Sequence, residues 1–390
     1  MAASPHILFI NTDQLRADFL GCYGFAADTS PNIDRLAAEG VRFTAAVTQC
    51  PLCTPARYSL TTGRYVAQHG ARTNNHAVYP TVPSLVSAFG AGGYRTVAVG
   101  KLHHNPPDQK FGFDEVYLHD GTFRSRRPYS VYSRWLEEQG IDEDDLSLAA
   151  DVDDDPEKRR LKGTTHWGPC RLPDRYCEST FLADLAIDIV NEHEADKPLM
   201  LYLSFVAPHS PYCPPPPYDK LFDPSDMPVP PRETGEQLAR KHRAIAGQAS
   251  RFGEGGITDE VMRGTRSQYA GLLRHLDEHA GRAIDAFRKR FGDDIIICLT
   301  SDHGDFLGEH NKYEKHWLYE AAVRVPWIVT APGRVPKGIT ADAPVEQIDM
   351  FPTVLGLAGV THEVTDIAGV DRSAELTSGE IAGSPYVFAE

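Results

Sequence analysis

Residues 294–305 read DIIICLTSDHGD. The first half is an unbroken apolar run, and the second half turns at once to acid, imidazole, glycine and acid. Such a run, without polar alternation, predicts a strand covered on both faces, as in a parallel sheet packed between helices. Three other stretches have the same form. HILFIN (6–11) runs into Thr12-Asp13-Gln14, RTVAVG (95–100) into Lys101-Leu102-His103-His104, and PLMLYLSFVA (198–207) into Pro208-His209. VPWIVTA (325–331) is a fifth apolar run. Helical patterns lie between them, at 32–39, 82–90, 180–194 and 259–290. The last opens on a Thr258 cap and closes on basic residues and Gly292, matching start and stop signals. Alternating strands and helices predict an α/β/α sandwich around a large, mostly parallel central sheet.

In open parallel sheets, ligands bind beyond the carboxyl ends of the strands. Taken singly, each polar residue there has an ordinary explanation: a helix cap, a turn, a structural histidine. As a set they combine metal-ligand types with cations. Asp13, Asp302 and His303, with the Gln14 amide oxygen as a fourth donor, suit one divalent ion. Oxygen ligation fits Ca²⁺ or Mg²⁺, and the imidazole tilts the site toward Mn²⁺. Arg57, Lys101, Lys315 and nearby histidines are placed to neutralise a tetrahedral oxyanion.

Composition narrows the field. The chain has 390 residues and a net charge of -15, which argues against general nucleic-acid binding. Its cationic residues must therefore be gathered locally if the substrate is an anion. Seven scattered cysteines do not form the dense framework of a small secreted scaffold. No apolar stretch approaches the ~18 residues of a membrane span. The opening MAASPHILFINTDQ lacks a basic leader and reads as a first strand. These features predict a cytoplasmic protein, or a periplasmic or secreted one whose leader has been removed. They leave the oligomeric state open.

The segment QCPLCTPARYSLTTGRY (49–65) carries two overlapping patterns. Cys50 and Cys53 form C-x-x-C, a redox or zinc motif, but Cys170 and Cys177 make a poor second half for zinc. Starting at Cys53, the segment reads Cys-x-Pro-x-Arg followed by Thr62-Gly63. This resembles the motif of the type I sulfatases, in the alkaline-phosphatase-like superfamily. GKLHH (100–104), APHSPYCPP (207–215), TSDHGDFLGEH (300–310), the following YEKHW and VEQIDMFPTVLGLAG (345–359) resemble further family elements in the family's order.

The resemblance implies hydrolysis of a small anionic sulfate ester. It implies that a separate maturation enzyme oxidises Cys53 to Cα-formylglycine, whose hydrate attacks sulfur with one oxygen and keeps a second to release sulfate. It makes Cys53 a metal ligand beside Asp13, Gln14, Asp302 and His303. Arg57 steadies the formylglycine and metal end. His103 is the base for sulfate release, with Lys101 beside it. His209 and Lys315 contact the sulfate and the bridging oxygen, His209 as acid. Asn74 contacts the sulfate, with Asn75 as the alternative.

Three departures stand out. Gln14 and His303 replace the commoner Asp and Asn, a combination shared with choline sulfatases and phosphonate monoester hydrolases. A phosphonate or phosphodiester substrate is therefore the alternative reading, although those hydrolases generally lack the Gly-Lys-x-His element present here. The third is length. The resemblance implies a catalytic domain over 1–370, with surface insertions at about 119–177 and 208–256. It makes 371–390 the start of a C-terminal subdomain, truncated relative to the family. A binding protein without catalysis is the reading from outside enzymology, and the intact polar set argues against it.

Overall fold

The computed structural model describes residues 4–121, 127–141, 168, 170, 172–194, 196–230, 232–243 and 258–390. Apart from Ile141, the acidic run 141–160 lies outside these residues.

Nine strands make one sheet: β1 (His6–Thr12), β2 (Val41–Val47), β3 (Arg95–Gly100), β4 (Glu115–Leu118), β5 (Leu199–Ser204), β6 (Ile295–Ser301), β7 (Arg324–Thr330), β8 (Ile339–Ala341) and β9 (Val345–Glu346). Their spatial order is β4-β3-β5-β1-β6-β7-β2-β8, with β9 beside β2. The central strands β5 and β6 are buried along their whole length, which is why their sequences do not alternate. β4, β3, β5, β1 and β6 run parallel, so their carboxyl ends share one edge.

Among the described residues, the helices that cover the two faces include α1 (Pro31–Ala38), α2 (Cys53–Thr62), α3 (Val86–Ala91), α4 (Glu178–Glu192), α5 (Asp259–Phe291) and α6 (Met350–Ala358). Successive strand residues point to opposite faces. On one side Leu8, Ile10, Leu201, Leu203, Ile297 and Leu299 pack with α1, α4 and α5. On the other, Ile7, Phe9, Met200, Tyr202, Ile296 and Cys298 pack with α3, α6 and Leu60 of α2. The α5 caps match the sequence signals: the Thr258 hydroxyl accepts the Val261 amide at 3.3 Å, and Gly292 ends the helix at φ 67°.

Two expectations need correction, and four strands carry no sequence signal. The run 325–331 is antiparallel to both β6 and β2, because an apolar run carries no information about direction. The helix expected at 82–90 forms only over Val86–Ala91; Pro83 precedes it and the Ser84 hydroxyl takes the Val86 amide at 3.1 Å. No continuous apolar run marks β2, β4, β8 or β9. They are short or half-exposed, and β2 is broken by a register shift between Phe43 and Ala46.

Candidate active site

The four strand ends are held in register by backbone. Gly100, at φ 94°, ends β3 where an added Cβ would lie 1.9 Å from the Ser204 carbonyl oxygen. Only glycine allows that approach. The Lys101 amide then donates to the same oxygen at 2.9 Å, which fixes where the lysine departs. Across β1 and β6, the Asp302 amide donates to the Thr12 carbonyl at 3.1 Å. Asp13 and Asp302 therefore leave adjacent strands side by side.

Cys53 is the first residue of α2, and all ten residues of that helix are buried. Cys53 and Arg57 are one turn apart and so share a helix face. The Thr54 amide, an orphan donor of the first turn, is accepted by Asn74 Oδ1 at 3.0 Å. The Thr54 hydroxyl donates to the His103 carbonyl at 2.8 Å. Asn74 and His103 thus both grip the residue after Cys53.

The Arg57 guanidinium organises the floor. Its Nε donates to Asp302 Oδ2 at 2.9 Å, and its terminal nitrogens reach Asp13 Oδ2 (3.1 Å), the Ser204 hydroxyl (2.9 Å) and the Lys101 carbonyl (2.6 Å). Lys101 Nζ adds a second ion pair to Asp13 Oδ2 at 2.6 Å. The Cys53 thiol lies 3.2 Å from His303 Nε2 and 3.9 Å from Asp13 Oδ1. Asp13, Cys53, Asp302 and His303 are all buried, with one ligand atom of each within 4.8 Å of the others.

A second net adjoins this one. Gln14 Nε2 donates to the Asp305 carboxylate, and the Gln14 side-chain oxygen Oε1 accepts from Lys315 Nζ. Lys315 Nζ is also 2.7 Å from His209 Nε2. His209 Nδ1 faces the Ser210 carbonyl, so its proton sits on Nδ1 and Nε2 accepts from Lys315. Tyr212 also donates to Asp305.

These contacts set the charges. Burial would raise Asp13, but Lys101, His209, Arg57 and His303 together hold it well below the usual carboxylate range. Burial and Lys315 push His209 well below an ordinary histidine. Burial and Asp13 would raise the Cys53 thiol, yet Lys315, His303 and Lys101 outweigh them and lower it. Cys50 goes the other way: burial, Glu390 and Cys53 push it up to about 12. The two cysteines of C-x-x-C are chemically unlike, and only Cys53 faces the cluster.

The donor chemistry fits a divalent cation. Two carboxylates and an imidazole converge, and the His303 Nδ1 contact to the Gly304 carbonyl (2.9 Å) leaves Nε2 as the donor toward the cluster. Gln14 can join only by sharing the oxygen that Lys315 already uses, since its nitrogen is committed to Asp305. Asn75 is exposed and its amide bonds the Thr73 hydroxyl, so Asn74 is the one of the pair brought to Cys53.

Several contributors were not assigned from sequence. Asp120 accepts the Leu102 and His103 amides at 3.0 and 2.8 Å, holding the loop that carries His103 at φ 55°. It follows β4 in Leu118-His119-Asp120, another strand ending in an acid, but four mostly half-buried residues are too few to mark that strand in the sequence. Asp305 was visible beside Asp302 but carried no assigned role. Tyr212 and Ser204 gave no local signal.

Comparison with known proteins places this geometry. The Sulfatase family profile matches residues 5–360. The chain belongs to the sulfatase family. This sulfatase is 29% identical over 375 residues to an arylsulfatase of Clostridium perfringens, covering 92% of this chain and 75% of that one. It is 29% identical over 420 residues to a choline-sulfatase of Rhizobium meliloti, covering 98% and 75%. Among solved structures it is similar to a phosphonate monoester hydrolase from Silicibacter pomeroyi, with TM-score 0.79 and 28% identity, covering 98% and 78%. The sulfatase is thus a sulfuric ester hydrolase on an alkaline-phosphatase-like α/β fold. Among its described residues, no helix is long and apolar enough to cross a membrane.

Proposed function

We propose that this sulfatase cleaves small anionic sulfate esters with a hydrated Cα-formylglycine made from Cys53 by a separate maturation enzyme. One divalent ion, Ca²⁺, Mg²⁺ or Mn²⁺, is held by Asp13, Asp302, His303 and residue 53, with Gln14 sharing its oxygen. The observation that carries this reading is the position of Cys53. It heads a buried helix within reach of two carboxylates and an imidazole, with Lys101 and Lys315 supplying positive charge.

When present, the hydrated aldehyde supplies one oxygen for attack and a second for release, and the ion favours its ionised form and draws in a sulfate oxygen. The chain's own residues do the rest. Arg57 clamps both aspartates, so neither can swing to the substrate. Lys101 and Lys315 offset the sulfate charge in a site with little water to screen it. Lys315 keeps its proton against His209 Nε2, which offers only a lone pair there, so the Lys315 ammonium, rather than His209 as the resemblance implies, presents the donor to the leaving oxygen. His103, on the loop braced by Asp120, serves as base for release, and Asn74 orients the start of α2 at the sulfate side.

A phosphonate or phosphodiester substrate is the second reading, favoured by the likeness to the Silicibacter pomeroyi enzyme. Lys101 and His103 weigh toward sulfate. Steady-state kinetics on matched aryl sulfate, aryl phosphonate and phosphodiester substrates decide between them. Higher kcat/KM on the sulfate is expected, and a clear preference for the phosphonate overturns the choice.

A further inference from the structure

His275 and His279 lie one turn apart on α5 and project from one face of it. Opposite them, Asp174 stands just before α4, and Thr180 lies in the first turn of α4. His275 Nε2 is 2.7 Å from Asp174 Oδ1, and His279 Nε2 is 3.4 Å from the same oxygen. The two imidazole Nε2 atoms are 3.0 Å apart, and the Thr180 hydroxyl is 3.0 Å from His279 Nε2.

Protons alone do not satisfy this group. Arg282 donates to His279 Nδ1 at 3.0 Å, which puts the His279 proton on Nε2. The 2.7 Å contact with Asp174 requires a proton on His275 Nε2 as well. Two N–H donors then face each other at 3.0 Å. Moving the His275 proton to Nδ1, a buried atom with no partner among the described residues, gives the tautomer that a cation on Nε2 also needs, and without a cation it leaves an imidazole lone pair against a carboxylate at 2.7 Å. A cation taking all three lone pairs removes the conflict. Ligands ~2.0 Å from a tetrahedral ion lie about 3.3 Å apart, so separations of 2.7, 3.0 and 3.4 Å need only a small opening.

We propose that Asp174, His275 and His279 form a second metal site, for a transition-metal cation of the zinc class, with the Thr180 hydroxyl or water as fourth ligand. It shares no residue with the site around Cys53 and does not rest on that assignment. The histidines are buried, while the Asp174 side chain is 45% exposed and gives the ion a way in. The ion ties the segment entering α4 to α5, the longest helix among the described residues, so its role is structural. Arg282 must release His279 Nδ1 when the ion binds. It already pairs with Asp184 at 2.6 Å on the surface, where it can remain.

The test is zinc binding by chelator-stripped protein under equilibrium dialysis. Wild type is expected to hold one equivalent more than the His275→Gln/His279→Gln variant and than Asp174→Asn, while the reconstituted variants keep sulfatase activity within about twofold. Arg282→Gln is expected to bind the extra zinc several-fold more tightly. Equal zinc content in wild type and the variants overturns the proposal. Should the histidine variant fail to fold, Asp174→Asn and hydrogen exchange of wild type decide. Zinc is expected to slow exchange in peptides spanning 172–182 and 271–285, and unchanged exchange there also overturns it.

Discussion

Arg57 and Arg372 are both about 1% exposed, and each is paired with buried aspartate, yet they belong to different kinds of network. Arg372 Nε donates to Asp349 Oδ2 at 2.7 Å, and its other nitrogens reach Glu375 and the Ser384 hydroxyl. Asp349 also accepts the Val370 amide, so this network is closed on itself. It fastens the segment after α6 to the body of the protein. The Arg57 network is open. Asp13, Asp302 and His303 each turn an atom toward the Cys53 thiol; Arg57 and Lys101 already balance the two aspartates, and Lys315 adds a positive charge beyond that balance. Burial of charge therefore does not mark a site. What marks it is charge arranged around a group left available for chemistry.

Removing that group gives the largest expected effect. Cys53→Ala should cut sulfate-ester turnover at least about a thousandfold while the melting temperature stays within a few degrees. Full turnover in this variant would remove residue 53 from the mechanism. Chelation comes next: stripping divalent ions should lower activity roughly tenfold or more, restored by Ca²⁺, Mg²⁺ or Mn²⁺. Undiminished turnover after verified metal removal breaks the proposed cluster.

The two arginines can then be set against each other. Arg57→Ala and Arg372→Ala should each cost about 3–5 kcal/mol, because each leaves a buried carboxylate unpaired. Denaturant unfolding measures this. Only Arg57→Ala should also abolish turnover in the folded fraction. If Arg372→Ala does so as well, the distinction between closed and open networks fails.

The smallest effect lies outside both networks. His69 is buried, bonded to the Ser59 hydroxyl and the Ala71 amide, and burial lowers it to about 4. In the unfolded chain it titrates near 6.5. Its contribution is complete above pH ~6.5, is lost as pH falls toward 4, and then levels off, at about 3 kcal/mol in all. Unfolding free energies measured across that window should decline more shallowly in His69→Gln, and an identical slope contradicts the assignment.

The comparison also separates what the sequence could and could not disclose. The central strands were legible because burial on both faces removes alternation. The residues at their ends were legible because chain order delivers them to one edge. Direction was not: β7 reads like its neighbours and runs against them. The partners of the site residues were largely hidden. Tyr212 and Ser204 act through contacts made only once distant strands meet, and Asp120 sits at the end of a four-residue strand too short to show a pattern. Nothing local in the sequence announces the pairing of Arg372 with Asp349.

The central claim is that activity depends on the conversion of Cys53. Its most direct test is peptide mass spectrometry of the segment 49–65, on protein made with a formylglycine-generating enzyme and assayed in the same preparations. Turnover should rise in proportion to the fraction of residue 53 that has lost its sulfur and become an aldehyde, and should be absent where only the thiol is found. Full sulfate-ester turnover from protein in which every Cys53 remains a thiol would contradict the account.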